Sequence, residues 1–244
     1  MDKIIIMGAS SGIGLSVAEA FAKRGMKVGL ASRHTETLHK LKIRYPECVE
    51  YESIDITHKD APSKLERLIS KLGGMDIYFH VSGIGYDNPA LDPEREAEML
   101  NCNSTAFARM LSTAYNYFKT ESRPGRIAAI TSVAGTNGIG QLSAYSASKK
   151  CAQTYMIALE QRANSEGVRI KFTDIRPGWI RTPLLKEGVS YPLEMEQSEA
   201  VPLIIKALVR APRVAVVNWK WNIVVGLWRL IPNSLWVKMT IPEM

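Results

Sequence analysis

The first fourteen residues restrict the fold more than any other part of the chain. Lys3-Ile-Ile-Ile-Met7 is an unbroken, mostly β-branched apolar run, the pattern of a strand buried on both faces of a parallel sheet. It leads directly into Gly8-Ala-Ser-Ser-Gly12-Ile-Gly14. A helical period follows, with Val17, Ala18, Phe21 and Ala22 on one side and Gly25 as its stop. Strand, glycine turn and helix in that order put bare backbone N–H groups at a helix N-terminus, facing a pyrophosphate. A glycine turn alone is weak evidence, but inside a βαβ unit it points to a dinucleotide.

The alternation continues to the end of the chain. Strands are expected at 27–32, 49–54, 76–81, 126–132, 168–175 and 213–217. Helices are expected between them at 36–45, 62–72, about 92–118, about 143–164 and 199–210. Pro46, Gly73, Gly74, Pro124, Gly125 and Gly167 punctuate the boundaries. Strands and helices taking turns predict an α/β fold: a Rossmann-like, doubly wound, parallel sheet of about seven strands with helices on both faces. No repeat, linker or low-complexity tract divides the 244 residues. Residues 1–217 are therefore read as one dinucleotide-binding and catalytic domain, with 218–244 as its C-terminal extension.

Composition excludes several classes. Apolar residues make up 46% and charged residues 23%, which suits a globular chain with a large core. Cys48, Cys102 and Cys151 are odd in number and unpaired by spacing, and the four histidines lack metal-ligand spacing. Neither a disulfide framework nor a metal site is expected, and a reducing cytoplasm is the default location. No signal peptide is evident, and no apolar window is long enough to span a bilayer. The net charge of +7 is concentrated late: from Ala200 to Pro242 there are six basic residues and no acidic one. No nucleic-acid-binding motif accompanies that patch, so nucleic acid is not an expected partner.

Chemistry is concentrated between Ile130 and Lys149. In a helix starting near Ser143, Tyr145 and Lys149 are four apart and share a face. An ammonium beside a phenol favours the phenolate and lowers a pKa of about 10. Such a tyrosine can exchange a proton with a carbonyl or alcohol oxygen, and Ser132 at the preceding strand end would add a hydroxyl donor to the same oxygen. Tyr and Lys at this spacing are also common on solvated helix faces; the surrounding motifs favour the catalytic reading. At the end of the second strand stands Ser32-Arg33, with no acid to hold a ribose 2′-hydroxyl. An arginine there accommodates a 2′-phosphate, so NADP(H) is expected in preference to NAD(H).

With GxxxGxG at Gly8–Gly14, Tyr145-Ser-Ala-Ser-Lys149 thirteen residues after Ser132, and Pro177-Gly178 in order, the chain resembles the short-chain dehydrogenase/reductase family over about residues 3–217. The resemblance implies Tyr145 as general acid/base, Lys149 as the group that lowers its pKa and binds the nicotinamide ribose, and Ser132 as the residue orienting the carbonyl. It implies an asparagine holding a proton-relay water. Asn101 and Asn103 are the candidates, and the position four before Phe107 selects Asn103. Implied cofactor contacts are Gly8, Ser10, Ser11, Gly12, Ile13, Gly14, Ser32, Arg33, Asp55, Ile56, Ser82, Gly83, Tyr145, Lys149, Pro177, Gly178, Ile180 and Thr182. His80-Val-Ser-Gly83 departs from the Asn-Asn-Ala-Gly usual in the family, and His80 is read as a packing substitute. The implied activity is hydride transfer between NADP(H) and a ketone or alcohol, in a homodimer or homotetramer. A non-catalytic cofactor sensor or scaffold is the alternative.

A mobile substrate loop is expected over 184–198, where apolar side chains suggest a bulky or hydrophobic substrate. Four of the five tryptophans lie in 219–236, where helical spacing precedes Pro232. Tryptophans with basic flanks and no acids suit a helix lying on an anionic membrane. A cover over the substrate cleft or a subunit contact would have the same composition, and both readings stand.

Overall fold

A computed structural model describes residues 2–185 and 188–239. Seven parallel strands form one sheet: β1 (Lys3–Met7), β2 (Lys27–Ser32), β3 (Val49–Ser53), β4 (Ile77–His80), β5 (Gly125–Ile130), β6 (Ile170–Pro177) and β7 (Val214–Val217). Their order is β3-β2-β1-β4-β5-β6-β7. The chain winds outward from β1 in one direction and then, from β4, in the other. The reversal opens a crevice at the carboxyl ends of β1 and β4, where ligands bind in such sheets. Helices cover both faces, as the alternating sequence predicts.

The strands are apolar throughout because both faces are covered. Ile4 and Ile6 pack under α1 (Gly12–Ala22) and, further along, α7 (Gln197–Arg210). Ile5 and Met7 face the opposite layer, built from α3 (Ala61–Leu72), α5 (Phe107–Thr120) and α6 (Ser143–Glu166). The remaining helices are α2 (Glu36–Arg44), α4 (Pro93–Leu100), α8 (Trp219–Leu230) and the short α9 (Asn233–Trp236).

Most expected boundaries agree with the structure to within two residues, and two differences bear on function. The helix expected over about 92–118 is three segments: α4, a wide π-helical stretch at Asn101–Ala106, and α5. Periodicity could not show the wider turns, from which Asn103 reaches out to the β4 turn and α6. Within the loop around 184–198, Tyr191, Glu194 and Met195 are tied to the turn after β6. Met195 bonds the two neighbours of Ile180 through its backbone: its N–H donates to the Trp179 carbonyl and its carbonyl accepts from the Arg181 N–H, both at 3.0 Å. Arg181 pairs with Glu194, and Tyr191 stacks on Trp179 at 4.6 Å. Residues 186 and 187 of that loop, and 240–244 of the C-terminal extension, lie outside the described residues.

Candidate active site

The phosphate end of the crevice is built by the turn after β1. Gly8 adopts φ +97°, and a Cβ there would lie 2.6 Å from the backbone nitrogen of Ser82, so only glycine lets the β1 and β4 turns meet. Gly8 and Ala9 donate to the Ala31 carbonyl at 2.8 and 3.1 Å, which ties the turn to β2. The first N–H groups of α1 lack helical acceptors and open toward the crevice at Ser11, Gly12 and Ile13. Gly14 is packed beneath, against the Gly8 carbonyl.

At the end of β2, Arg33 is exposed on the rim. Across from it, Asp55 Oδ1 accepts from the Thr57 N–H (2.9 Å) and hydroxyl (2.7 Å). Burial works against its ionisation, but these two bonds and the Arg33 charge outweigh it and hold the carboxyl below its ordinary pKa.

The other end holds Ser132, Tyr145 and Lys149, the groups expected to handle the proton. Ser132 follows β5, and its Oγ accepts from the Ala134 N–H at 3.1 Å. Tyr145 and Lys149 project from the first turns of α6. Burial pushes the Tyr145 hydroxyl above the usual phenol range, and the Ser132 hydroxyl pulls it part of the way back. The lowering expected from Lys149 does not enter: burial and the Ser132 hydrogen bond set the direction. Nζ lies 5.5 Å from the Tyr145 ring centroid and donates to the Ile130 carbonyl at 3.3 Å. Lys149 is itself brought down to about 8, chiefly by burial and against the fields of Cys102 and Asp174.

Asn103 separates cleanly from Asn101: it is 3% exposed, whereas Asn101 faces solvent. Its Oδ1 accepts from the Ile84 N–H (2.9 Å), and its Nδ2 donates to the Ile84 carbonyl (2.7 Å) and to Ser148 Oγ (3.2 Å). The π-helical stretch thereby clamps the β4 turn onto α6. His80 is buried in β4, its Nδ1 2.9 Å from the Tyr78 hydroxyl and its ring edge-on to Phe107. Burial first, then the Lys149 charge, lower its pKa to about 3 against an opposing contribution from the Ser82 backbone. It is a neutral packing residue, as expected of it.

Between the two ends lies one cleft of about 770 Å³. Every cofactor-contact position expected from the sequence lines it except Gly14, and so do Ser132, Tyr145 and Lys149. Asn103 stands behind the wall. A second cavity, of about 700 Å³, lies at the opposite ends of the strands around Asp76, Pro124 and Arg169 and gathers none of these groups. The glycine cradle, helix N-terminus and exposed Arg33 fit a phosphorylated dinucleotide reaching to Tyr145.

Several supporting residues went unnoticed in the sequence. Gln153 Nε2 donates to the Ser132 carbonyl at 2.8 Å; its place one turn beyond Lys149 on the same face was a usable signal. Thr131 Oγ1 donates to Asp174 at 2.5 Å, and Asp174 pairs with the buried Arg176 at 2.6 Å. Only the register of β5 on β6 brings these three together. The C-terminal tryptophans also join the site. Trp221, Val224 and Trp228 of α8 line the cleft, and the Trp221 indole packs on Gly178. Trp236 Nε1 donates to the Gly138 carbonyl (2.6 Å), and Asn137 Nδ2 donates to the Trp228 carbonyl (3.0 Å). The inner face of α8 is therefore a cover over the cleft.

A family model described as short chain dehydrogenase matches residues 2–190. The chain belongs to the short-chain dehydrogenase/reductase family. It is an oxidoreductase of the kind that acts on alcohol and carbonyl groups with a nicotinamide cofactor. Among its relatives in the family, an uncharacterized oxidoreductase of Myxococcus xanthus is 30% identical, over 95% of this chain and 93% of its own. A farnesol dehydrogenase of Aedes aegypti is 28% identical, over 87% of this chain and 91% of its own. The fold matches a Burkholderia cenocepacia short chain dehydrogenase in complex with NADP, with a TM-score of 0.82 and 21% identity over 99% of both chains.

Proposed function

We propose that this short-chain dehydrogenase/reductase is an NADP(H)-dependent reductase of apolar ketones or aldehydes, with Tyr145 as the proton donor. The observation that carries the reading is the joining, in one cleft, of the glycine turn and Arg33 at one end with Ser132, Tyr145 and Lys149 at the other. The nicotinamide, when bound, supplies the hydride. The protein's task is to orient the carbonyl and manage one proton. The Ser132 hydroxyl orients the substrate oxygen beside the Tyr145 hydroxyl, which gives up its proton as charge develops on that oxygen. Lys149 lies beside the ring and stabilises the phenolate left behind. Asn103 acts as a positioning residue, since both ends of its amide are engaged by Ile84 and Ser148.

A phenol held above its ordinary range is protonated at neutral pH, the state that donates to a carbonyl. Alcohol oxidation needs the phenolate instead. Reduction is therefore expected to proceed well near neutral pH, with the oxidation rate rising as the solution is made alkaline. Arg33, exposed and opposite Asp55, supports selection of the 2′-phosphate. The apolar side of the cleft, with Trp179, Tyr191, Leu193, Trp221 and Trp228, supports a bulky hydrophobic substrate. The resemblance to a farnesol dehydrogenase agrees with an isoprenoid-like or long-chain alcohol and carbonyl pair.

The deciding experiment measures oxidation of NADPH and NADH with long-chain and isoprenoid aldehydes and ketones, for the wild type and Tyr145→Phe. We expect NADPH-preferred turnover that falls by about 100-fold or more in the variant, with NADPH binding retained. Wild-type turnover by Tyr145→Phe would overturn the assignment.

A further inference from the structure

Helix α8 has two apolar faces, and the cleft uses only one. Trp221, Val224, Val225 and Trp228 point inward, with Trp221 and Val225 fully packed. On the other side Trp219, Ile223, Leu227 and Leu230 are 68%, 55%, 59% and 79% exposed. At about 100° per residue these four share a single arc of the helix. Leu235, Val237 and Met239 continue the exposed surface beyond Pro232. A contiguous apolar patch of this kind marks a contact surface.

The charges around the patch indicate what it contacts. Helical spacing puts Lys220 on one border of the arc and Arg229 on the other, and Lys238 follows in the tail. All three are exposed, with no ion pair among the described residues. The only acid after Ala200 is Glu243. A second copy of the chain docked through this face would bring like charges together and bury them. An anionic lipid surface answers both features at once: the apolar arc enters the headgroup boundary while the basic borders meet lipid phosphates and carboxylates. The twelve-residue helix is too short to cross a bilayer, so it would lie in the surface plane.

We propose that the outer face of α8 and the segment after it dock this enzyme on an anionic membrane. The cleft cover and the docking face are opposite sides of one helix, so docking places the cover of the cleft at the bilayer surface, where apolar substrates partition. Membrane binding needs no turnover, so this inference stands or falls separately from the catalytic reading.

The test is co-sedimentation of the full chain with phosphatidylcholine vesicles, and with vesicles of the same lipid mixed with phosphatidylserine. Ile223→Asp/Leu227→Asp and Lys220→Glu/Arg229→Glu serve as variants, checked for fold by circular dichroism and NADPH binding. Binding at least about tenfold stronger to the anionic vesicles, weakened by salt and by both variants, is expected. Equal partitioning of wild type and variants on both vesicle types would overturn the proposal. So would a wild-type dimer in analytical ultracentrifugation that Ile223→Asp/Leu227→Asp converts to monomer, because the face would then belong to a second copy.

Discussion

A Cβ at position 85 would fall 2.7 Å from Cε2 of Tyr145. The glycine there lets the β4 turn approach the Tyr145 ring, and a side chain must displace the ring or the turn. Gly85→Ala is therefore expected to lower kcat by about tenfold, with little change in NADPH affinity. Steady-state kinetics beside a cofactor titration would check this. A loss of NADPH binding equal to the loss of kcat would show that the turn, not the ring, had moved. His80 gives a second prediction. Its folded pKa of about 3 lies below the ordinary 6.5, so between those values the unfolded chain takes up a proton that the folded chain refuses. Stability is then lost as pH falls from 6.5 toward 3, by up to a few kcal/mol. His80→Asn lacks this titration, so denaturant melts should show a shallower acid limb than the wild type between those pH values.

Among the elements, the π-helical stretch at Asn101–Ala106 has the most to do with assembling the site. One residue more per turn is accommodated where Asn103 reaches across to the Ile84 backbone, and such stretches recur at functional sites. Asn103→Leu would leave the Ile84 N–H and carbonyl without these partners, at a cost of roughly 1–3 kcal/mol per lost buried partner. A lower melting temperature together with a raised KM for NADPH is expected; a lower melting temperature with unchanged kinetics would make the clamp purely structural. The strand and helix positions were legible in the sequence because buried parallel strands are short apolar runs separated by glycine and proline stops. Tyr145, Lys149, Ser132 and the glycine turn were legible because each belongs to a local spacing. Hydrophobic period does not distinguish α from π turns, so the stretch around Asn103 was not. Nor was the Thr131, Asp174 and Arg176 cluster, which exists only once β5 and β6 pair in register. The tryptophans of α8 had a visible period, but composition alone could not say which side met the cleft, since both sides are apolar.

At the scale of the whole molecule, the chain beyond β7 closes a cleft whose floor is complete without it. The glycine turn, Arg33, Ser132, Tyr145 and Lys149 all come from elements before Pro177. The tail adds a small separate cluster of Val133, Trp221 and Val225, with Trp179 and Trp228 at its margin. It groups apart from the two large cores flanking the sheet. We therefore read the C-terminal extension as a lid element of the catalytic body, not as a part on which the sheet depends. Truncation after Asn218 should leave a folded protein that binds NADPH within a few-fold of the full chain. It gives up the burial of Trp221, Val225 and Trp236, at about 2 kcal/mol for each side chain, so its melting temperature should fall. The kinetic effect should depend on substrate: KM for long apolar carbonyls rises by about tenfold or more as the tryptophan wall is lost, while small carbonyls change little. Calorimetry, fluorescence titration of NADPH and kinetics on a short and a long aldehyde together would decide it. If the truncated chain failed to fold, the tail would have to be counted as part of the core. If it folded and treated both aldehydes as the full chain does, the α8 tryptophans would have no part in substrate selection.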